Sequence, residues 1–360
     1  MEQMSSPFST IIPTCTCASS PFDHPKADII LRSSDRVDFR VFKLFLALAS
    51  PLFETMFELP QPAAVGTSDD TKDGLPVISM QENSKILDTF LRFCYPSTLA
   101  EDPSLDNLID IKAIIGVAKK YSLNLIERRV CQALASPKVL EAEPLRCFAI
   151  ARNARLTDET IVAARYTLRQ PLIPTCLPEI DMITASDLLA LLTYHKKCSV
   201  AAASSLANLD WMTNYYSNPS GCNWLLDTRQ ADFRGKLPDP PCRCARSDKA
   251  KFHLWKSAPF SWWTTYMEET FELLRDTPSG DVVRSEVEKT IQKVRDVGCT
   301  TCSAHVKEKM EEFSNLLALN VDKATASIKL EIDRDFRILP PVMGLGNYKL
   351  TIPLPFFGQK

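Results

Sequence analysis

The sequence predicts an α+β chain: a small sheet with surrounding helices at the N-terminal end, followed by a mostly α-helical region. Three observations predict it. Strand signals cluster between residues 29 and 80. The segment "VFKLFLALASPLFETMFELP", residues 41–60, is apolar on nearly every side. From about residue 139 the strand signals stop, and the periodic segments that follow carry apolar residues at helical spacing. A surface helix carries an apolar stripe roughly 100° wide, so a segment apolar all round must be covered on all sides. Lys43, Ser50, Pro51 and Glu54 interrupt it, and a membrane span needs about 20 apolar residues. It reads as a buried central helix pair whose cover is supplied by the flanks.

The elements follow in order. Residues 1–22, rich in Ser, Thr and Pro, read as a disordered leader. Ile29, Ile30 and Leu31 make a first strand and the alternating Val37, Phe39 and Val41 a second, with "SSDR" supplying hairpin chemistry between them. A helix from about Lys43 to Ala49 comes next. Ser50 then caps a second helix whose first position is Pro51, where a missing N–H costs nothing. "PQPAAVGTSDDTKDG" reads as a flexible surface insertion and "LPVISM" as a third strand. "SKILDTFLRFCYP", "NLIDIKAIIGVAKKYSL" and "IERRVCQALA" are amphipathic helices.

Beyond residue 139, "EPLRCFAIARNA" and "TDETIVAARYTL" form a helical pair, with Asp158 and Glu159 in the favoured first turn of the second. Thr184 and Asp187 form a capping-box pattern at the start of a longer helix. Residues 214–257 lose all periodicity. Three helices then follow: "SWWTTYMEETFELL", "DVVRSEVEKTIQKVRDV" closed by Gly298 in a left-handed cap, and a last one from about Ser303 to Ile332. In that last helix Val306, Met310, Phe313, Leu317, Val321, Ala324 and Ile328 form one stripe, read as packing on the preceding helices or, more sharply, as a seam for a partner helix. The domain boundaries are a leader at 1–22, an α+β domain at 23–136, a helical extension at 137–213, a Cys-containing helical region at 214–336 and an extended Pro-rich tail at 337–360.

Composition narrows the function classes. A net charge of −2 gives no global attraction to nucleic acid or anionic membrane. There is no signal-peptide pattern at the N-terminus and no apolar run of spanning length, so a cytoplasmic or nuclear location is expected. G-x-S-x-G, H-E-x-x-H and phosphate-cradling glycine loops are absent from the sequence, and ten glycines leave little room for ligand-hugging loops. The expectation is a chain with no catalytic role.

The series "ADIILRSSDRVDFRVFKLFLALASPLFETMF", "LDTFLRFCYP" and "AKKYSL" resembles a BTB/POZ domain over roughly residues 24–135, and residues 139–360 are similar to the helical, Cys-containing extensions of fungal BTB proteins. The resemblance implies a protein–protein interaction adaptor or scaffold that often self-associates as a homodimer. A substrate-recruiting adaptor of a cullin-type ubiquitin ligase and a scaffold in transcriptional regulation are both open roles. It also implies a charged partner-binding pocket containing a buried Asp and a basic residue, here Asp28 and Lys43. The family usually has His before that basic residue, where this chain has Phe42.

A second functional class centres on the late cysteines. Of the twelve cysteines, Cys94, Cys131 and Cys147 read as small core residues. Cys242 and Cys244 form C-x-C and Cys299 and Cys302 form C-x₂-C, the usual spacing for two thiolates on one zinc. These four are the best set for one structural zinc, with Cys222 or His305 as substitutes; such an ion supplies on the order of 10–16 kcal/mol, ample to hold segment 214–257. Reduced thiols without a metal are the plain alternative, a "CTTC" redox pair another, and contact of "CRCARSDKAKFHLWK" with nucleic acid a third. His195 and Cys198, within one helical turn, read as an exposed helix end rather than a ligand pair.

Overall fold

A computed structural model describes residues 15–58, 71–172, 177–216, 224–225, 244 and 259–332. Five strands form one sheet: β1 (Thr16–Cys17), β2 (Ile29–Arg32), β3 (Val37–Val41), β4 (Thr71–Lys72) and β5 (Leu75–Ser79), in the spatial order β1-β3-β2-β5-β4. β2 and β3 pair antiparallel, with Ile29 opposite Val41 and Arg32 opposite Asp38, while β2 and β5 pair parallel. All four residues of β2 are buried, as befits a central strand.

Period-two alternation gives the sheet two unlike faces. Ile29, Leu31, Phe39 and Val41 point into an apolar core. Arg32, Asp38 and Arg40 occupy the other face, where they meet Lys72 and Asp73.

Around the apolar face lie α1 (Lys43–Ala49), α2 (Pro51–Glu58), α3 (Ser84–Cys94), α4 (Leu108–Lys120) and α5 (Asn124–Leu134). The expected start signals are present. The Ser50 hydroxyl accepts from the N–H groups of Leu52 at 3.1 Å and Phe53 at 3.3 Å, with Pro51 beside it. Asn83 caps α3 by accepting from Ile86 N–H at 2.9 Å. Leu46 and Phe53 are both essentially inaccessible, at 0% and 1% exposure. Phe53 stacks on Tyr121 at 5.1 Å and lies parallel to Phe90 at 6.4 Å, tying α2 to α3 and to the end of α4.

The helical region comprises α6 (Pro137–Ala142), α7 (Pro144–Asn153), α8 (Thr157–Thr167), a single 3₁₀ turn at Ile180–Met182, α9 (Ala185–Ala207), α10 (Asp210–Tyr216), α11 (Ser261–Asp276), α12 (Gly280–Ser285), α13 (Val287–Asp296), α14 (Thr300–Ser303) and α15 (Val306–Ala326). Thr184 and Asp187 make the expected capping box at the start of α9. This helix spans both cores of the protein. Its Leu191, Tyr194 and Cys198 belong to the core begun by the sheet, and its Ala202 to a second core built on α11–α13 and α15. The second core is aromatic at its centre: Phe313 is met by Trp263 at 5.6 Å, Trp211 at 5.8 Å and Tyr266 at 6.2 Å.

Several expectations are corrected. The leader does not extend to residue 22, because Thr16–Cys17 pairs with β3 and Phe22 is fully buried against Phe39 and Tyr95. "TKDG" is not part of a loose insertion; Asp73 (φ 52°) and Gly74 (φ 77°) form the positive-φ turn of a hairpin joining β4 to β5. The helix expected over residues 281–297 is broken at Glu286 into α12 and α13, and Gly298 (φ 68°) closes the second as anticipated. The last helix ends at Ala326, so Ile328 leaves the stripe and packs on the first core instead. The remaining stripe residues from Val306 to Val321 face inward on the second core, which replaces the partner-seam reading. His195 and Cys198 are buried, at 8% and 0% exposure, so they are not an exposed helix end. The tail at 337–360 and most of 214–257 lie outside the described residues.

Two substitutions, each with a control, probe this packing. Phe53→Ala removes the shared ring of the aromatic stack and is expected to cost about 3–5 kcal/mol, whereas Leu125→Ala, at a 72% exposed position, should stay within about 0.5 kcal/mol; urea denaturation followed by circular dichroism reads both. Gly280 N–H donates to Asp322 at 2.8 Å, and a Cβ there would stand 2.8 Å from the Ala318 carbonyl oxygen. Gly280→Ala should therefore lower the melting temperature while Gly116→Ala, where a Cβ meets nothing within 4 Å, should not.

Candidate interaction surface and cysteine cluster

The apolar segment at residues 41–58 is not covered on all sides. α1 packs on α2 and α3 through its Leu46 side, leaving Leu44 62% and Leu48 78% exposed one turn apart on the opposite side. Leu52, in the first turn of α2, is 45% exposed. Three leucines in nine residues are therefore exposed on a helix pair that buries Leu46 and Phe53 on its inner side. Singly exposed leucines are ordinary, but a grouped set marks an interaction site.

Asp28 and Lys43 meet at the start of this surface, though not as a pair of opposite charges in a buried pocket. Asp28 is exposed, and its carboxylate accepts from the main-chain N–H of Lys43 at 2.8 Å. A carboxylate at that place satisfies one of the unpaired N–H groups that begin a helix and suits the positive end of its dipole. The Lys43 ammonium instead lies over the Phe57 ring, 5.8 Å from its centre. Phe42, where the family usually has His, is used structurally. Its ring packs edge-on against Phe45 at 5.6 Å, and its N–H donates to the Tyr95 hydroxyl at 3.2 Å.

The buried charges are elsewhere, and local sequence reading does not reveal them. Asp38, 2% exposed, accepts from Arg32 Nε at 2.7 Å and from Lys72 Nζ at 2.7 Å. Burial pushes its carboxyl pKa up, but the hydrogen bonds and charges of Arg32 and Lys72 prevail and hold it below the usual carboxylate range. Glu82 is likewise raised by burial and then drawn below its usual range by Lys120 and Tyr121, which hydrogen-bond it at 2.7 and 2.8 Å. Arg152 and Asp187 join α7 to α9 at 2.6 Å. Each of these networks links elements distant in sequence.

Cys131 and Cys147 are core residues as expected, and burial pushes their thiols up to about 11 and about 12. Cys94 is half-buried, its thiol pushed up to about 12 by the same cause. Of the four candidate metal ligands, the structure brings three together: the Sγ atoms of Cys244, Cys299 and Cys302 all lie within 4.8 Å of one another. Cys242 and the substitute Cys222 lie outside the described residues, as does the basic stretch around Cys244. His305 is exposed and is not part of the cluster; its main-chain N–H donates to the Cys302 carbonyl at 3.2 Å.

The N-terminal part thus combines a small sheet, helices packed on its apolar face and three exposed leucines on its first helix pair. Residues 22–138 match the BTB/POZ domain family model, and this part of the chain is a BTB/POZ domain, a protein-interaction module. A comparison of the whole chain with curated proteins gives no match. No helix among the described residues is long and apolar enough to cross a membrane.

The Asp38 network yields a pH-dependent expectation. A carboxylate with a lowered pKa in the folded state contributes stability that is fully present above its unfolded value, about 3.9, and is lost as pH falls through the folded value. Asp38→Asn should therefore cost about 3 kcal/mol at neutral pH, since it leaves Arg32 buried without its carboxylate. The gap between variant and native protein should shrink below about pH 4. Urea midpoints measured from pH 7 down to pH 3 check the sign.

Proposed function

We propose that the chain is a non-enzymatic adaptor whose BTB/POZ domain pairs with a second copy of itself through the leucine face of α1 and α2, so that the assembly presents two helical regions to protein partners. The observation that supports this most is the outward set Leu44, Leu48 and Leu52. Each leucine is worth about 1.5–3 kcal/mol when fully removed from water. A two-fold interface would bury the same face twice. Asp28 and Lys43, at the start of α1, would lie beside that interface and supply charge of both signs to its rim.

Light scattering on the full chain tests the reading. The native protein should elute at twice the chain mass of 40.4 kDa, and Leu44→Glu combined with Leu48→Glu should elute as a monomer with an unchanged circular dichroism spectrum. A native chain that stays monomeric at high micromolar concentration, or a double variant that still pairs, would contradict it.

A further inference from the structure

Segments far apart in the chain deliver three thiols to one point, and the local geometry accounts for two of them. Gly298 ends α13 in the left-handed region and turns the chain. Cys299 follows as the extended residue before α14 (φ −80°, ψ 105°), buried to 2% exposure. The single turn of α14 then brings Cys302 back beside it, where it packs on the second core. Cys244 arrives from the segment between α10 and α11. With a Zn–S distance of about 2.3 Å, tetrahedral thiolates stand about 3.8 Å apart. Mutual separations within 4.8 Å reach that spacing with a shift of about 1 Å at most.

We propose that Cys244, Cys299 and Cys302 bind one zinc ion, which pins the segment carrying Cys244 to the corner between α13 and α15. The BTB/POZ reading does not enter into this. A disulfide joins only two sulfurs, at about 2.05 Å, and leaves the third unused, whereas a soft divalent ion uses all three. A thiol-redox pair is disfavoured by the setting: Cys299 immediately precedes, and Cys302 lies on, a four-residue helix that follows another helix, not a strand–helix unit. Binding is an exchange of protons for metal: each thiol gives up its proton as its sulfur bonds zinc, so acid should release the ion.

The test uses the full chain purified under reducing conditions and reconstituted with zinc. Elemental analysis should find one zinc per chain, and a strong chelator should lower the melting temperature. Cys299→Ser and Cys302→Ser should each lose the ion, while Cys17→Ser, in exposed β1, should keep it. Should those variants misfold, the native protein decides the matter. Bound zinc should shield Cys244, Cys299 and Cys302 from alkylation, as mapped by mass spectrometry, and chelation should expose all three. Cobalt should give thiolate charge-transfer absorption. A native chain without zinc after reconstitution, a mapped disulfide among these cysteines in the purified chain, unchanged alkylation on chelation, or bound zinc with no effect on melting would each overturn it.

Discussion

Phe53 is the residue on which the N-terminal half of this protein turns. Its ring is shared by Tyr121 and Phe90 in one near-parallel stack, and Phe57 lies beside it at 5.9 Å. The Ser50 hydroxyl that caps α2 also donates to the carbonyl of Tyr121, so the start of α2 and the end of α4 are held by one polar and one aromatic contact at adjacent positions. Because that side of α2 is committed inward, the leucines on the far side of α1 and the start of α2 must face out. The outward placement of these leucines is thus a consequence of how the core closes.

The same economy of position recurs in the polar parts. One face of the sheet lies on the apolar core, and Ile30, Arg32 and Asp38 on its other face are buried as well. Arg32, Asp38 and Lys72 form a charge cluster there, Lys72 reaching from the edge strand β4 past β5 and β2 to β3. A charged face is one way in which sheets avoid pairing with the wrong neighbour. In the helical region, α9 runs from the first core into the second, and Ile328 and Leu330 beyond α15 return to the first. Two cores are therefore coupled by one long helix and one returning segment.

Local signals in the sequence were reliable wherever the physics is local. The Ser50–Pro51 start of α2, the Thr184–Asp187 box and the Gly298 cap depend only on residues within a turn of one another, and all are present. The excess of apolar surface at 41–57 was also legible, and it signalled that something must be covered. What it could not reveal was which side stays open, because that depends on Phe90 and Tyr121 arriving from elsewhere. The hairpin at Asp73–Gly74 was overlooked although Asp-Gly is a strong turn signal, because the polar run before it suggested one continuous insertion. The Asp38 network requires the register of β2 on β3 and the position of β4, and the start of α12 is fixed by Asp322 arriving from α15 to accept from Gly280 N–H. Neither is encoded in any short window. The cysteine spacing was legible as a candidate metal set; that Cys244 meets Cys299 and Cys302 is a tertiary fact.

Hydrogen exchange measured on the full chain over a range of protein concentrations tests the central claim most directly. If the packed side of Phe53 leaves the leucine face free to pair, peptides spanning residues 42–54 should slow their exchange as concentration rises, while peptides from α4, whose core is complete within one chain, should not change. Exchange in 42–54 that is independent of concentration would contradict the account, and exchange there at the rate of an unfolded chain would contradict the fold beneath it.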